Sequence, residues 1–324
     1  MTKDLTQLIE LINKRLEELS YGEDPQELYE PIKYIMSLGG KRIRPLLVLL
    51  AYRLFKDDVE SILDQAISVE VFHNFTLMHD DIMDEAPLRR GQATVHEKWN
   101  DSVAILSGDV MLVKAYDLLL EAPGNLKQII KDFNACAAGV CEGQQFDMNF
   151  EQLPTVAEAT YINMIRLKTA VLLGYSLKLG AMLAEAPEEE AQKLYDLGVQ
   201  VGIGFQLKDD LLDVYADQAK FGKQVGGDII ANKKTFLLLK ALELANSNQK
   251  ADLDRWINAE EFDSSEKVQD VMRIYDEIGI KELTLAKMEE YFANGFKELE
   301  AIEVSEEKKT TLADFTNYLI NREK

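Results

Sequence analysis

Cysteine is nearly absent from this chain. Among 324 residues there are two, Cys136 and Cys141. They lie five apart in an apolar helical stretch, where their side chains point in different directions. That spacing excludes a disulfide framework and a zinc-ligand pattern, and it suits buried thiols in a reducing compartment. Proline is scarce too: seven residues, scattered, with no Pro-rich linker. Positive charge is in short supply, with 36 Lys and Arg against 57 Asp and Glu, a net −21. A nucleic-acid backbone calls for clustered Lys and Arg, so nucleic-acid binding is excluded. The basic runs are short: Lys41-Arg42-Ile43-Arg44, Arg89-Arg90 and Lys233-Lys234. No apolar run reaches the roughly 18 residues of a membrane span. The N-terminus, MTKDLTQLIELINKRLEEL, lacks the apolar centre of a secretion signal and the acid-poor bias of a transit peptide. A cytoplasmic protein without a membrane span is expected. Sustained apolar/polar alternation, the strand signal, is missing. A GxxxxGK[ST] phosphate loop is missing as well. Gly198, Gly202 and Gly204 follow no strand, so they read as close helix packing rather than a dinucleotide loop.

What the chain does have is helical periodicity. Leu5, Leu8, Ile9, Ile12 and Leu16 form one stripe at three- and four-residue steps. Similar patterns cover 43–55, 61–83, 102–120, 126–146, 156–184, 189–215, 234–245, 267–278, 281–300 and 306–320. Breaks fall at turn chemistry: Tyr21 to Pro25, Ala122-Pro123-Gly124-Asn125, Leu153-Pro154-Thr155 and Ala186-Pro187. Thr169 to Leu183 is apolar on nearly all sides, which places it inside a bundle. The fold class expected is all-α, a single large helical bundle over residues 1–324 with a central active-site cavity. The polar, Gly-rich stretch 217–232 reads as a mobile loop beside a site.

Two carboxylate triplets stand out from the general acidity. Asp80-Asp81-Ile82-Met83-Asp84 ends one long helical run, and Asp209-Asp210-Leu211-Leu212-Asp213 lies near the end of another. Four residues on a helix return to nearly the same azimuth, so Asp80 and Asp84 share a face. Asp81 sits about 100° away. Like charges one turn apart repel, and a divalent cation would offset that. One such triplet in an acidic chain reads as a solvated helix end. Two, each preceded by strongly apolar residues, read as a pair of metal-holding motifs converging on a cavity. Carboxylate-only donors suit Mg²⁺, which keeps waters and takes substrate phosphate oxygens. Basic groups beside loops supply the complement: Lys41 and Arg44 after Gly39-Gly40, Arg89 and Arg90 before Gly91, then Lys168 and Lys233. The Gly-Gly pair suggests a close approach of backbone to an anion.

In order along the chain stand Gly-Gly-Lys-Arg-Ile-Arg-Pro at 39–45, Asp-Asp-Ile-Met-Asp-Glu-Ala-Pro-Leu-Arg-Arg-Gly at 80–91, Lys168-Thr169, Phe205 to Asp213, and Asn232-Lys233. This array resembles the trans-prenyl diphosphate synthases, which include farnesyl and geranylgeranyl diphosphate synthases. The resemblance spans about residues 35 to 240. It implies a Mg²⁺-dependent, head-to-tail condensation of isopentenyl diphosphate with dimethylallyl, geranyl or farnesyl diphosphate, releasing diphosphate. It further implies that Asp80, Asp84 and Asp209 ligate a cluster of three Mg²⁺, with Asp81, Asp210 and Asp213 completing the acidic set. Arg89, Lys168, Lys233 and Lys223 would grip the allylic diphosphate. The spacing around Lys223 varies within the family. Lys41, Arg44, His73 and Arg90 would bind isopentenyl diphosphate; helix packing is the plainer alternative for His73. Thr169 and Gln206 would turn oxygens towards the developing cation. The family is usually homodimeric, which is carried over as an expectation.

The growing tail should run along the helix before Asp80. Phe75 lies five residues back, about 7.5 Å along the axis, and Phe72 about 12 Å. In short-chain relatives an aromatic residue at the Phe75 position limits elongation. With the small Thr76 beside it, a farnesyl or geranylgeranyl product is expected, geranylgeranyl favoured. The alternative is that both rings are plain core. Rival functions are a class I terpene cyclase, whose second motif usually combines Asn/Asp, Ser/Thr and Glu, and a squalene-type head-to-head synthase. The non-catalytic alternatives are a regulatory subunit of a prenyltransferase, which commonly loses one motif, or a helical scaffold with acidic ends.

Overall fold

The computed structural model describes residues 3–216 and 226–321. The fold class is all-α. In chain order come α1 (Lys3–Glu18), α2 (Gln26–Ser37), α3 (Ile43–Arg53), α4 (Leu63–Met83), the strands β1 (Leu88–Arg89) and β2 (Gln92–Ala93), α5 (Val95–Lys98), α6 (Asp101–Leu120), α7 (Leu126–Glu151), α8 (Glu158–Ile165), α9 (Val171–Leu183) and α10 (Glu188–Tyr215). A π-helical turn, Arg166–Ala170, joins α8 to α9. From residue 226 onward follow the short turn Gly227–Ile230 and helices Phe236–Leu244, Ser247–Ile257, Ser264–Ile278, Ile280–Glu300 and Glu306–Asn321. Among the described residues, no helix is long and apolar enough to cross a membrane.

Contacts group the chain into two compact units. The first comprises Met1–Ala135, Leu172–Tyr195 and Ile302–Leu312; the second comprises Cys136–Val171, Asp196–Ala301 and Ala313–Lys324. The first is organised on α4, which packs chiefly against α6 and α3. Ala66, Ile67, Val69, Val71 and Phe72 of α4 are all 0% exposed. Each large apolar side chain buried this way contributes about 1.5–3 kcal/mol, so α4 has little freedom to shift. The α9 helix approaches α3 at a glycine: a Cβ at Gly180 would stand 2.2 Å from the Val48 carbonyl oxygen. In the second unit, helix Phe236–Leu244 packs on α8, on Ser264–Ile278 and on Ile280–Glu300.

Two of the longer helices lie outside the periodic stretches read from the sequence. Helix α2 carries Pro31 in its interior, a residue that argues against helix when met in a sequence. Its buried Ile32, Ile35 and Met36 nevertheless form one face. Ser247–Ile257 is polar, with Leu253 and Trp256 its buried residues. A capping box starts it: the Asn246 side chain accepts from the Gln249 amide at 3.1 Å, and the Gln249 side chain accepts from the Asn246 amide at 3.0 Å. Of the stretch read as a loop, 217–232, the described end forms the helical turn Gly227–Ile230. Lys223 lies outside the described residues.

Candidate active site

In the first unit, α4 ends at the first aspartate triplet. The Asp84 amide donates to the Asp80 carbonyl at 2.8 Å, so these two residues are one turn apart. Asp80 is half-buried and Asp84 exposed. Asp81 turns inward, 2% exposed, and Arg89 grips it with two prongs, Nε to Oδ2 and Nη2 to Oδ1, each 2.7 Å. Arg89 reaches back because residues 88–93 form a tight hairpin. Its central residues Arg90 and Gly91 both have positive φ, 53° and 76°, as a type I′ turn requires. The Arg-Arg-Gly sequence is therefore a conformational statement as well as a charge.

Arg90 in turn donates to the Gly39 carbonyl. A Cβ on Gly40 would lie 3.2 Å from both terminal nitrogens of Arg90. The Gly-Gly pair does allow a close approach, but what it approaches is a guanidinium, a cation. Arg42, two residues beyond Gly40, was not singled out from the sequence. It has φ 49° and is buried, with its guanidinium donating to Glu70 Oε1 at 2.8 Å, Asn13 Oδ1 at 3.0 Å and the Met36 carbonyl at 3.2 Å. It ties α1, α2 and α4 to the loop holding Lys41 and the helix start holding Arg44. The available signal was Glu70, the one acid between Ala66 and His79 of α4.

His73 lies half-buried on α4. Burial first, then the charges of Arg44, Arg90, Arg89 and Arg42, hold its imidazole well below the usual range. The unfolded chain takes up this proton near pH 6.5 and the folded chain only at lower pH. Stability is then complete above 6.5 and is lost as pH falls below it, by up to about 1.4 kcal/mol per pH unit. Urea unfolding at successive pH values should show His73→Gln flattening that acid-side decline. Equal slopes in both proteins would contradict it.

Phe75 sits against His79 (ring centroids 4.8 Å) and Phe72 (5.6 Å), and Phe72 against Phe133 (5.1 Å). Phe72 is fully buried and Phe75 is 8% exposed. Thr76 is buried, its hydroxyl donating to the His73 carbonyl at 2.8 Å. His79 lies 3.1 Å from the Ile105 carbonyl and presses on Gly108, where a Cβ would be 2.3 Å from its Nε2. The two rings read as a possible floor thus rest on further aromatics.

In the second unit the second triplet repeats the burial pattern. Asp210, the middle residue, is 4% exposed; Asp209 and Asp213 are half-buried. Asp210 accepts from the buried Tyr161 hydroxyl and from Gln206 Nε2, the latter at 3.0 Å. Burial, then the charge of Asp228, push its carboxyl up to about 7, against the pull of Lys233, Tyr161 and Gln206. The Gln206 carbonyl accepts from the Thr169 hydroxyl at 3.3 Å, so one run of hydrogen bonds links Thr169, Gln206, Asp210 and Tyr161. Asp213 accepts from the Asp228 amide at 2.9 Å, and its carbonyl from the Gly226 amide at 2.7 Å. Lys168 and Thr169 occupy the π-helical turn, a local widening common at functional sites. Gly143 of α7 backs it, and Asp147 accepts from Lys168 Nζ at 2.6 Å. Lys233 is 45% exposed, its Nζ 4.0 Å from Asp228. Tyr161 and Asp147 were not read from the sequence; each meets its partner through folding, 49 and 21 residues away.

Each unit therefore presents two outer carboxylates one helical turn apart, steadied by a buried middle one. Among the described residues, no three His, Cys, Asp or Glu side chains form a group that could hold a metal ion. Oxygen-only donors in ones and twos fit Mg²⁺, whose remaining positions go to water and phosphate.

A family model for polyprenyl synthetase matches residues 25–275. The geranylgeranyl pyrophosphate synthase of Geoglobus acetivorans is 35% identical over 316 residues, 97% of this chain and 96% of that protein. The short chain isoprenyl diphosphate synthase of Methanocaldococcus jannaschii is 42% identical over 247 residues, 75% of each chain. A crystal structure of a geranylgeranyl pyrophosphate synthase is similar to this one at TM-score 0.94 and 41% identity, covering 99% of both chains. With matches of this extent, the chain belongs to the polyprenyl synthetase family and is a prenyltransferase.

Proposed function

We propose that this short-chain trans-prenyl diphosphate synthase joins isopentenyl diphosphate head-to-tail to allylic diphosphates and stops at geranylgeranyl diphosphate. The observation that carries this reading is the matched burial of the two triplets, in which Asp81 and Asp210 turn inward and the outer carboxylates stay more open. Asp80, Asp84 and Asp209, helped by Asp81, Asp210 and Asp213, would hold a cluster of three Mg²⁺. When bound there, the metal would supply neutralisation of the charge that grows on the leaving diphosphate. Arg89, Lys168 and Lys233 bind the same diphosphate. Asp81 occupies two of the five donors on Arg89 and fixes the direction of the fork, while Asp147 orients Lys168. Lys41, Arg44, His73 and Arg90 bind isopentenyl diphosphate. Thr169 and Gln206 face the allylic cation with oxygen atoms, and apolar surroundings keep water from capturing it. No side chain is assigned as base; the released diphosphate accepts the proton.

Residues 1–324 act as one catalytic domain in this reading. The protein works in the cytoplasm as a homodimer. Supporting self-association, α6 exposes Leu106, Val113 and Leu120, at 58%, 60% and 54%, seven residues apart on one stripe.

Product analysis tests the function. Purified protein incubated with isopentenyl diphosphate, dimethylallyl diphosphate and Mg²⁺ should give linear C20 diphosphate. A cyclic hydrocarbon would instead indicate a cyclase, and no product a non-catalytic subunit. Phe75→Ala should lengthen the product by one or more isoprene units; unchanged length would remove Phe75 as the floor.

A further inference from the structure

Lys267 is a cation in the wrong place for a surface residue. It lies in the first turn of helix Ser264–Ile278, yet it is 1% exposed. Its ammonium donates to Asn232 Oδ1 at 2.7 Å and to the Ile230 carbonyl at 3.1 Å, and it stands 4.2 Å from the Phe262 ring centroid. Both oxygens belong to the segment just before Lys233. Burying an ammonium is costly unless it is well compensated, and an apolar residue would fill the same space without that cost. An ammonium has three donors on one atom, so it can hold two oxygens of one turn at once.

The turn it holds is one that needs holding. Asn232 has φ 53°, the left-handed region that non-glycine residues seldom adopt. Its Nδ2 donates to the Ile257 carbonyl at 3.1 Å, so the side chain is gripped from two sides. The Lys233 amide donates to the Asp228 carbonyl at 2.9 Å, and the Thr235 amide to the Lys233 carbonyl at 2.8 Å. The backbone of Lys233 is thereby pinned on both flanks while its side chain remains 45% exposed.

We propose that Lys267 is a positioning residue for Lys233: it clamps the left-handed turn at Asn232 and so aims the Lys233 ammonium at the allylic diphosphate. The inference rests on the reading of Lys233 as a diphosphate-binding cation. It adds a residue well beyond the recognisable motifs, reached only through the fold.

The test is a double-mutant cycle on the full-length protein, reading KM for dimethylallyl diphosphate and the inhibition constant of inorganic diphosphate at saturating Mg²⁺. Lys233→Met should raise both about tenfold. Lys267→Met, similar in length but uncharged, should raise both by several-fold. In the Lys233→Met background it should add almost nothing, because the group it aims is gone. Lys267→Arg should restore part of the loss. If Lys267→Met does not fold, Asn232→Gly serves instead: glycine accepts the positive φ but removes the Oδ1 anchor, and the same non-additive loss is expected. Losses that simply multiply, or a lowered Tm with both constants unchanged, would overturn the positioning role alone. Unchanged constants in Lys233→Met would overturn the reading of Lys233 and this inference with it.

Discussion

Asp80→Ala and Asp209→Ala should each lower kcat by about 10³-fold or more, with the fold intact. Removing one group that stabilises developing charge in a dry site typically costs about 2.7–4 kcal/mol, and in the proposed reading each carboxylate would also support a metal. Asp80 is only half-buried at the last turn of α4. Its loss leaves no large cavity, and the unfolding midpoint should move little. Chelating Mg²⁺ should abolish turnover in the wild type, and added Mg²⁺ should restore it. Steady-state kinetics beside thermal unfolding checks the prediction. A tenfold or smaller loss in either variant would mean that its carboxylate is decoration on a helix end.

Gly143→Ala should damage both stability and catalysis through packing alone. A Cβ there would stand 2.2 Å from the Lys168 amide nitrogen, 2.6 Å from its Cα and 2.8 Å from the Leu167 carbonyl carbon. These are backbone atoms, so no rotamer change relieves the clash. Either α7 or the π-helical turn has to move. Overpacking of this kind costs about 1–3 kcal/mol, occasionally more. The turn carries Lys168 and Thr169, and a shift near 1 Å in a positioning group can cost about 10²-fold in rate. Calorimetry should show a lower Tm and kinetics a kcat/KM reduced by about two orders of magnitude. Wild-type behaviour in both would show that Gly143 is not packed as described.

How much of this was legible beforehand follows from the range of each interaction. Helices α4 and α10 announce themselves, because an apolar run ending in a carboxylate triplet needs only local spacing to be read. The same spacing identified which aspartates share a face. It did not reveal that the middle residue of each triplet is buried, since Arg89 meets Asp81 through a tight turn and Tyr161 meets Asp210 across 49 residues. Arg42 illustrates the limit. Within Lys41-Arg42-Ile43-Arg44 its charge looks like that of its neighbours, and only the positive φ and the meeting with Glu70, 28 residues on, turn it inward. Lys267 is more remote still, 35 residues from Asn232. The polar helix Ser247–Ile257 carries no apolar periodicity to read, while its Asn246–Gln249 capping box is local and legible. Patterning thus exposes buried faces and metal-type donors; the residues that hold those donors in place come from distant sequence.

The function proposed above requires both acidic triplets for binding magnesium and diphosphate. Calorimetric titration of inorganic diphosphate with Mg²⁺ into the wild type, Asp80→Ala, Asp209→Ala and the double variant measures this directly. One binding event in the wild type, lost in either single variant and no worse in the double, is the predicted result. Two independent events, with each variant losing only its own, would contradict it.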